Sequence, residues 1–162
     1  MLIAGVDEAG RGALAGPVVV AAVILPPAQR LNGAWSRLTD SKLISASRRE
    51  RLAQLIMAEA VAWHISVIDH RCIDAINILQ ASLLGMREAV LGLKVTPDHV
   101  QVDGNQLPQL ELSCEAIVGG DASVAAISAA SILAKTHRDQ LLCELERSYP
   151  GYGFARHKGY PT

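Results

Sequence analysis

The chain has 162 residues, half of them hydrophobic but only 4% aromatic, and a formal net charge of −1. That length suits one domain with an aliphatic, alanine-rich core, and the near-zero charge offers no global basic field for a nucleic-acid partner, although charge can be local. Cys72, Cys114 and Cys143 are odd in number and too widely spaced for a disulfide framework or a zinc site, and they read as buried free thiols.

In chain order, Leu2 to Val6 and Pro17 to Leu25 read as short aliphatic strands, with glycines and Arg11 turning the chain between them. Met1-Leu2-Ile3 lacks a basic leader, and Val18 to Leu25 is too short to span a bilayer, so a cytoplasmic protein without a membrane partner is expected. Pro26 and Pro27 end the second strand, and residues 28–43 are predicted as a loop. Ser45 or Ser47 can cap a helix running to Glu59, with Leu52, Leu55 and Ile56 on one face. The alternation of Val61, Trp63, Ile65 and Val67 predicts a third strand. After Asp74 and Asn77 a helix carries Ile78, Leu79, Leu83, Leu84, Met86, Val90 and Leu91. Strands follow at Val100 to Val102 and Cys114 to Val118, and Asp121 or Ser123 caps a long helix from Val124 to Tyr149. Three early strands and then strand and helix in alternation predict an α/β fold with a mixed central sheet flanked by helices, in one domain. In the long helix Ala125, Ala126, Ala129, Ala130, Ser131 and Ala134 form a small-residue surface that lets its backbone approach a neighbour closely and hold Asp121 beside the sheet.

Four acids stand at the ends of apolar segments. Asp7 and Glu8 lie in Gly5-Val6-Asp7-Glu8-Ala9-Gly10-Arg11-Gly12, Asp103 in Val102-Asp103-Gly104-Asn105 and Asp121 after Gly119-Gly120. Singly, each has an ordinary structural explanation as a solvated loop acid, a turn residue or a helix cap. Converging from strand ends, they repel one another strongly unless divalent cations neutralise them. Mg²⁺ prefers hard oxygen ligands, and paired ions suit the in-line displacement of a phosphodiester, so the pattern points to a metal-dependent hydrolase acting on phosphates. The five histidines do not cluster at ligand spacing, which argues against zinc.

Gly10-Arg11-Gly12 is either a plain tight turn or one whose bare backbone presses against a sugar-phosphate chain. Tyr152 to Tyr160 mixes aromatics, glycines and Arg156, His157 and Lys158, and reads as a sugar-stacking and phosphate-contacting surface or as a solvated tail. Asp40-Ser41-Lys42 is a weaker phosphate-contact candidate, and His64, His70 and His99 look structural or exposed.

Together these segments resemble the type 2 ribonucleases H, specifically bacterial ribonuclease HII. The resemblance runs through Gly5 to Gly12, Leu38 to Lys42, Val102 to Asn105, Gly119 to Asp121, Ile127 to Lys135, Arg138-Asp139 and Tyr152 to Thr162. It implies a ribonuclease H-like fold and an endonuclease that cuts the RNA strand of RNA–DNA hybrids. It also implies incision 5′ to single ribonucleotides embedded in duplex DNA, leaving 3′-hydroxyl and 5′-phosphate ends, a step of ribonucleotide excision repair. By the same resemblance Asp7, Glu8, Asp103 and Asp121 are the catalytic acids holding Mg²⁺ or Mn²⁺. Gly10, Arg11 and Gly12 contact the 2′-hydroxyl and phosphates, and Tyr160 stacks on the following deoxyribose. Lys42, His157 and Lys158 are further backbone contacts. The 2′-hydroxyl is the handle by which a protein separates RNA from DNA.

Family members usually continue past Gly159-Tyr160-Pro161-Thr162 with a helical, often basic segment. The expectation is therefore a single domain over residues 1–162 that lacks this extension, with a truncated form that keeps the metal site but binds duplex weakly as the alternative. A monomer is the default. The rivals are a junction resolvase or type 1 ribonuclease H of similar fold, a non-catalytic nucleic-acid binder and a small-molecule phosphohydrolase.

Overall fold

The structure, a computed structural model, describes residues 1–12, 16–27, 44–151 and 153–157, without the side chains of Phe154 and His157. Lys42, Lys158, Tyr160 and the predicted loop 28–43 lie outside the described residues. The elements are β1 (Ile3–Ala9), β2 (Val18–Ile24), α1 (Ala46–Glu59), β3 (Ala62–Ile68), α2 (His70–Ile76), α3 (Ile78–Leu91), β4 (His99–Asp103), β5 (Ser113–Ile117), α4 (Gly120–Ser123), α5 (Ala125–Ser148) and α6 (Phe154–His157).

The strands form one mixed sheet in the order β3-β2-β1-β4-β5, with β1 at its centre. The β3-β2-β1 side is antiparallel, and β1-β4-β5 is parallel. Strand β2 is buried along its whole length, which explains its unbroken Val and Ala run. Side chains alternate across the sheet. Ala4, Val6, Val18, Val20, Val100 and Val102 pack with Ala81, Met86, Ala89 and Val90 of α3 on one face. Val19, Ala21 and Val23 pack with Ala53 and Ile56 of α1 and with Ala129, Ile132 and Leu133 of α5 on the other. None of the described helices is long and apolar enough to cross a membrane.

The small-residue surface of α5 does what its composition suggests. A Cβ on Gly5 would stand 2.5 Å from the carbonyl oxygen of Ala126, so the α5 backbone rests directly on the centre of β1. Ala129, Ala130 and Ala134 are fully buried behind it.

Ser45 caps α1, accepting from the Arg48 N–H, and the Asn77 side chain caps α3, accepting from the Gln80 N–H at 3.0 Å. Four expectations need correction. Strand β1 runs through the acids to Ala9, because Asp7, Glu8 and Ala9 keep pairing with β2 after the pairing with β4 stops at Val6. Helices α2 and α6 were not anticipated, since α2 buries none of its residues and so leaves no apolar stripe. Neither Asp121 nor Ser123 caps the long helix. Asp121 lies in the first turn of α4, and α5 starts at Ala125 with Val124 before it as a cap residue that makes no side-chain hydrogen bond. Finally, the thiols are not buried: Cys72 and Cys114 are half-buried and Cys143 is exposed.

Candidate metal centre and nucleic-acid interface

In the parallel half of the sheet the carboxyl ends of β1, β4 and β5 point the same way, and a ligand crevice forms at such ends. Strand β1 brings Asp7 there, β4 ends on Asp103, and β5 leads through Val118 and Gly119 into α4 with Asp121. Val6 pairs with Val102, so Asp7 and Asp103 follow side by side on adjacent strands. Both lie on the face covered by α5, opposite the inward valines Val6 and Val102.

One carboxylate oxygen from each of Asp7, Asp103 and Asp121 lies within 4.8 Å of the other two. Asp7 and Asp121 are buried, at 5% and 8% exposure, and Asp103 is half-buried. Backbone contacts fix the group. The Glu8 N–H donates to Asp7 Oδ1 at 2.8 Å, and the Asp121 N–H donates to Asp103 Oδ1 at 3.0 Å. The Ser128 hydroxyl donates to the Asp121 carbonyl, tying α4 to the first turn of α5.

Burial pushes the Asp7 carboxyl well above its ordinary range, and the nearby charges of Asp103 and Glu8 push it further. The Glu8 N–H and the Ser131 hydroxyl, which faces it without a fully formed hydrogen bond, pull back less. Glu8 is raised too, first by burial. Arg11 opposes that shift, and Asp103 and Asp121 reinforce it. Arg11 Nη1 stands 3.9 Å from Glu8 Oε1, while Glu8 Oε2 is buried with no hydrogen-bond partner among the described residues.

These features fit a divalent cation. Three hard oxygen donors converge, a fourth buried carboxylate oxygen beside them has no donor, and the group is too close to remain comfortably charged by itself. Asp7, Asp103 and Asp121 would hold the ion, and Glu8 stands outside the 4.8 Å group but at its edge. Gly10, Arg11 and Gly12 follow directly at the end of β1, with Arg11 and Gly12 exposed. His157 belongs to α6, but its side chain is outside the description. His99 is a partner within the sheet edge, its Nδ1 2.8 Å from Ser113 Oγ and its Nε2 3.1 Å from Glu115.

Three residues around the site carry roles that sequence reasoning did not assign: Ser128, Ser131 and Arg138. The serines were legible only as members of the small-residue surface of α5. Arg138 sits in the polar run Lys135 to Gln140, so nothing in the local sequence pattern marks it as buried.

The ribonuclease HII family model matches residues 4–162. Ribonuclease HII of Acinetobacter baylyi is 57% identical over 99% of this chain and 84% of that protein. In three dimensions, the ribonuclease H2 of Pyrococcus horikoshii matches all of this chain and 82% of its own, with a TM-score of 0.84 at 26% identity. A Bst ribonuclease HIII, solved in complex with Mn²⁺, matches 91% of this chain and 55% of its own, with a TM-score of 0.72, and at 19% identity it speaks for the fold alone. The mixed sheet, the acids gathered at its parallel end and a sequence match over almost the full length agree, and the chain belongs to the ribonuclease HII family, the type 2 ribonuclease H nucleases.

Proposed function

We propose that this chain is an endoribonuclease that cleaves the RNA strand of RNA–DNA hybrids and incises 5′ to single ribonucleotides in duplex DNA. The observation that carries the reading is the convergence of Asp7, Asp103 and Asp121 beside Gly10-Arg11-Gly12, in a chain of this family. Mg²⁺ or Mn²⁺ held by these acids would activate water and stabilise the leaving oxygen of an in-line displacement.

The chain's own residues supply the rest. Asp7, Asp103 and Asp121 would hold the ion at the open end of the parallel strands, where it would meet the reacting phosphate. Glu8, its Oε2 buried and without a donor, accepts a further contact at the same place. Gly10 and Gly12 let the backbone come close to the ribose, and Arg11 adds a cation for the phosphate, so that the 2′-hydroxyl decides which phosphodiester is cut. Water adds to phosphorus and the P–O3′ bond breaks, leaving a 3′-hydroxyl upstream and a 5′-phosphate on the ribonucleotide. Tyr160, Lys42, His157 and Lys158 extend the nucleic-acid contact in this reading. In this reading the enzyme works as a monomer in the cytoplasm, in ribonucleotide excision repair.

The test is incision of a labelled DNA duplex carrying one ribonucleotide, beside an all-DNA duplex and a hybrid. A metal-dependent cut 5′ to the ribonucleotide, with the all-DNA control intact, is expected. Cutting of the all-DNA duplex at a similar rate would overturn the reading.

A further inference from the structure

Arg138 of α5 is only 2% exposed, although a guanidinium strongly resists burial. Its Nε donates to the carbonyl oxygen of Pro17 at 2.9 Å, just before β2. The same side chain lies against the end of β1. A Cβ on Gly10 would fall inside the van der Waals radius of Arg138 Nε, and would stand 2.7 Å from the Pro17 oxygen and 2.9 Å from Arg138 Cδ. A Cβ on Gly16 would stand 3.0 Å from Arg138 Nη2. Gly10 and Gly16 have φ of 95° and 90°, in the left-handed region that favours glycine. One buried guanidinium therefore touches both ends of the segment that leaves β1 at Gly10 and enters β2 after Pro17, and Arg11 and Gly12 belong to that segment.

We propose that Arg138 is a positioning residue for substrate selection: wedged between Gly10, Gly16 and Pro17, its side chain holds the Gly10-Arg11-Gly12 turn in the position from which it engages the ribonucleotide. This deepens the proposed function and rests on it. Arg138 is too buried to touch a duplex, so its effect passes through the turn. The planar fork matters because it presents donors in fixed directions, whereas lysine offers a compact charge on a flexible stem. Arg138 donates to Pro17 just before β2 and lies against Gly10 and Gly16, so its loss should disturb the turn, and with it recognition, more than chemistry.

The test is steady-state kinetics of Arg138→Lys on the single-ribonucleotide duplex, with Mn²⁺ binding to the protein measured beside it. Looser placement of the turn predicts a KM raised about tenfold, with kcat changed less than about threefold. Mn²⁺ affinity should be unchanged. Gly16→Ala makes the same test from the other side, since its Cβ crowds Nη2 while the arginine stays, and it decides the matter if Arg138→Lys does not fold. A folded variant with wild-type KM, or with kcat lowered at unchanged KM, overturns the proposal. A wild-type enzyme that cuts all-DNA duplex as readily as the ribonucleotide duplex overturns the reading of the turn itself, and this proposal with it.

Discussion

The backbone N–H of Asp121 donates to the carboxylate of Asp103, with Oδ1 accepting at 3.0 Å. The end of β4 and the start of α4 are thus joined through one of the acids that would hold the metal, and Asp103 has two separable duties, as a charge and as an acceptor. Asp103→Asn keeps an acceptor oxygen and removes the charge, whereas Asp103→Ala removes both. Both should lose cleavage by at least about 10²-fold, as when one group that stabilises transition-state charge is deleted. Only the alanine variant should also lose about 1–3 kcal/mol of stability, by stranding the Asp121 N–H. Single-turnover cleavage and urea unfolding check both halves, and an asparagine variant that cleaves within tenfold of wild type would contradict the first.

The raised Asp7 carboxyl makes stability depend on pH. Burial, then Asp103, then Glu8 lift its folded pKa above the ordinary value of 3.8. In the window between the two values the folded state holds the proton that the unfolded state has lost, so stability falls as pH rises through that window and levels off above it. Without divalent ions, Asp7→Asn should therefore have the higher Tm at neutral pH, by about 2–4 °C for each kcal/mol relieved, and a flatter pH profile. Adding Mn²⁺ should raise the Tm of wild type more than that of the variant. Thermal unfolding in EDTA at several pH values is the check, and a lower Tm for Asp7→Asn at neutral pH would contradict this assignment.

The contact between β1 and α5 predicts intolerance at Gly5. Its added methyl would meet the Ala126 carbonyl, which is backbone and cannot rotate away. Gly5→Ala should cost at least the roughly 1–3 kcal/mol usual for overpacking, and should displace Asp7 two residues on. Calorimetry would show a Tm lowered by several degrees, and an unchanged Tm would mean that the helix can lift off the strand freely.

Much of this was legible in the sequence, for identifiable reasons. The aliphatic runs of β1 and β2, the Ser45 cap and the alanine surface of α5 are local signals that tertiary packing left intact. The meeting of Asp7, Asp103 and Asp121 was legible because each stands at the end of an apolar segment. The length of β1 was not legible, because its last residues are held by pairing to β2 rather than by their own pattern. Nor was the place of Asp121: its amide is engaged by Asp103 on a distant strand and its carbonyl by Ser128, contacts that no cap rule anticipates. The thiols were misjudged because an apolar sequence context does not fix which side of a helix or strand a residue occupies.

Arg11 should separate binding from stability. Its pair with Glu8 is long, at 3.9 Å, and the arginine side chain is 41% exposed, so Arg11→Ala should change stability by less than about 1 kcal/mol. If Arg11 engages the phosphate, KM for the ribonucleotide duplex should rise about tenfold, the loss of one charged hydrogen bond. Steady-state kinetics beside urea unfolding would show it, and a wild-type KM would remove Arg11 from the interface.

The most direct test is single-turnover cleavage of the single-ribonucleotide duplex as Mn²⁺ is titrated, with Asp121→Asn beside wild type. Cleavage by the wild type should saturate with the ion and vanish in EDTA, and Asp121→Asn should be slower by at least about 10²-fold at every concentration. Cleavage that persists in EDTA, or an Asp121→Asn variant within tenfold of wild type, would contradict the carboxylate group as the metal-binding catalytic centre.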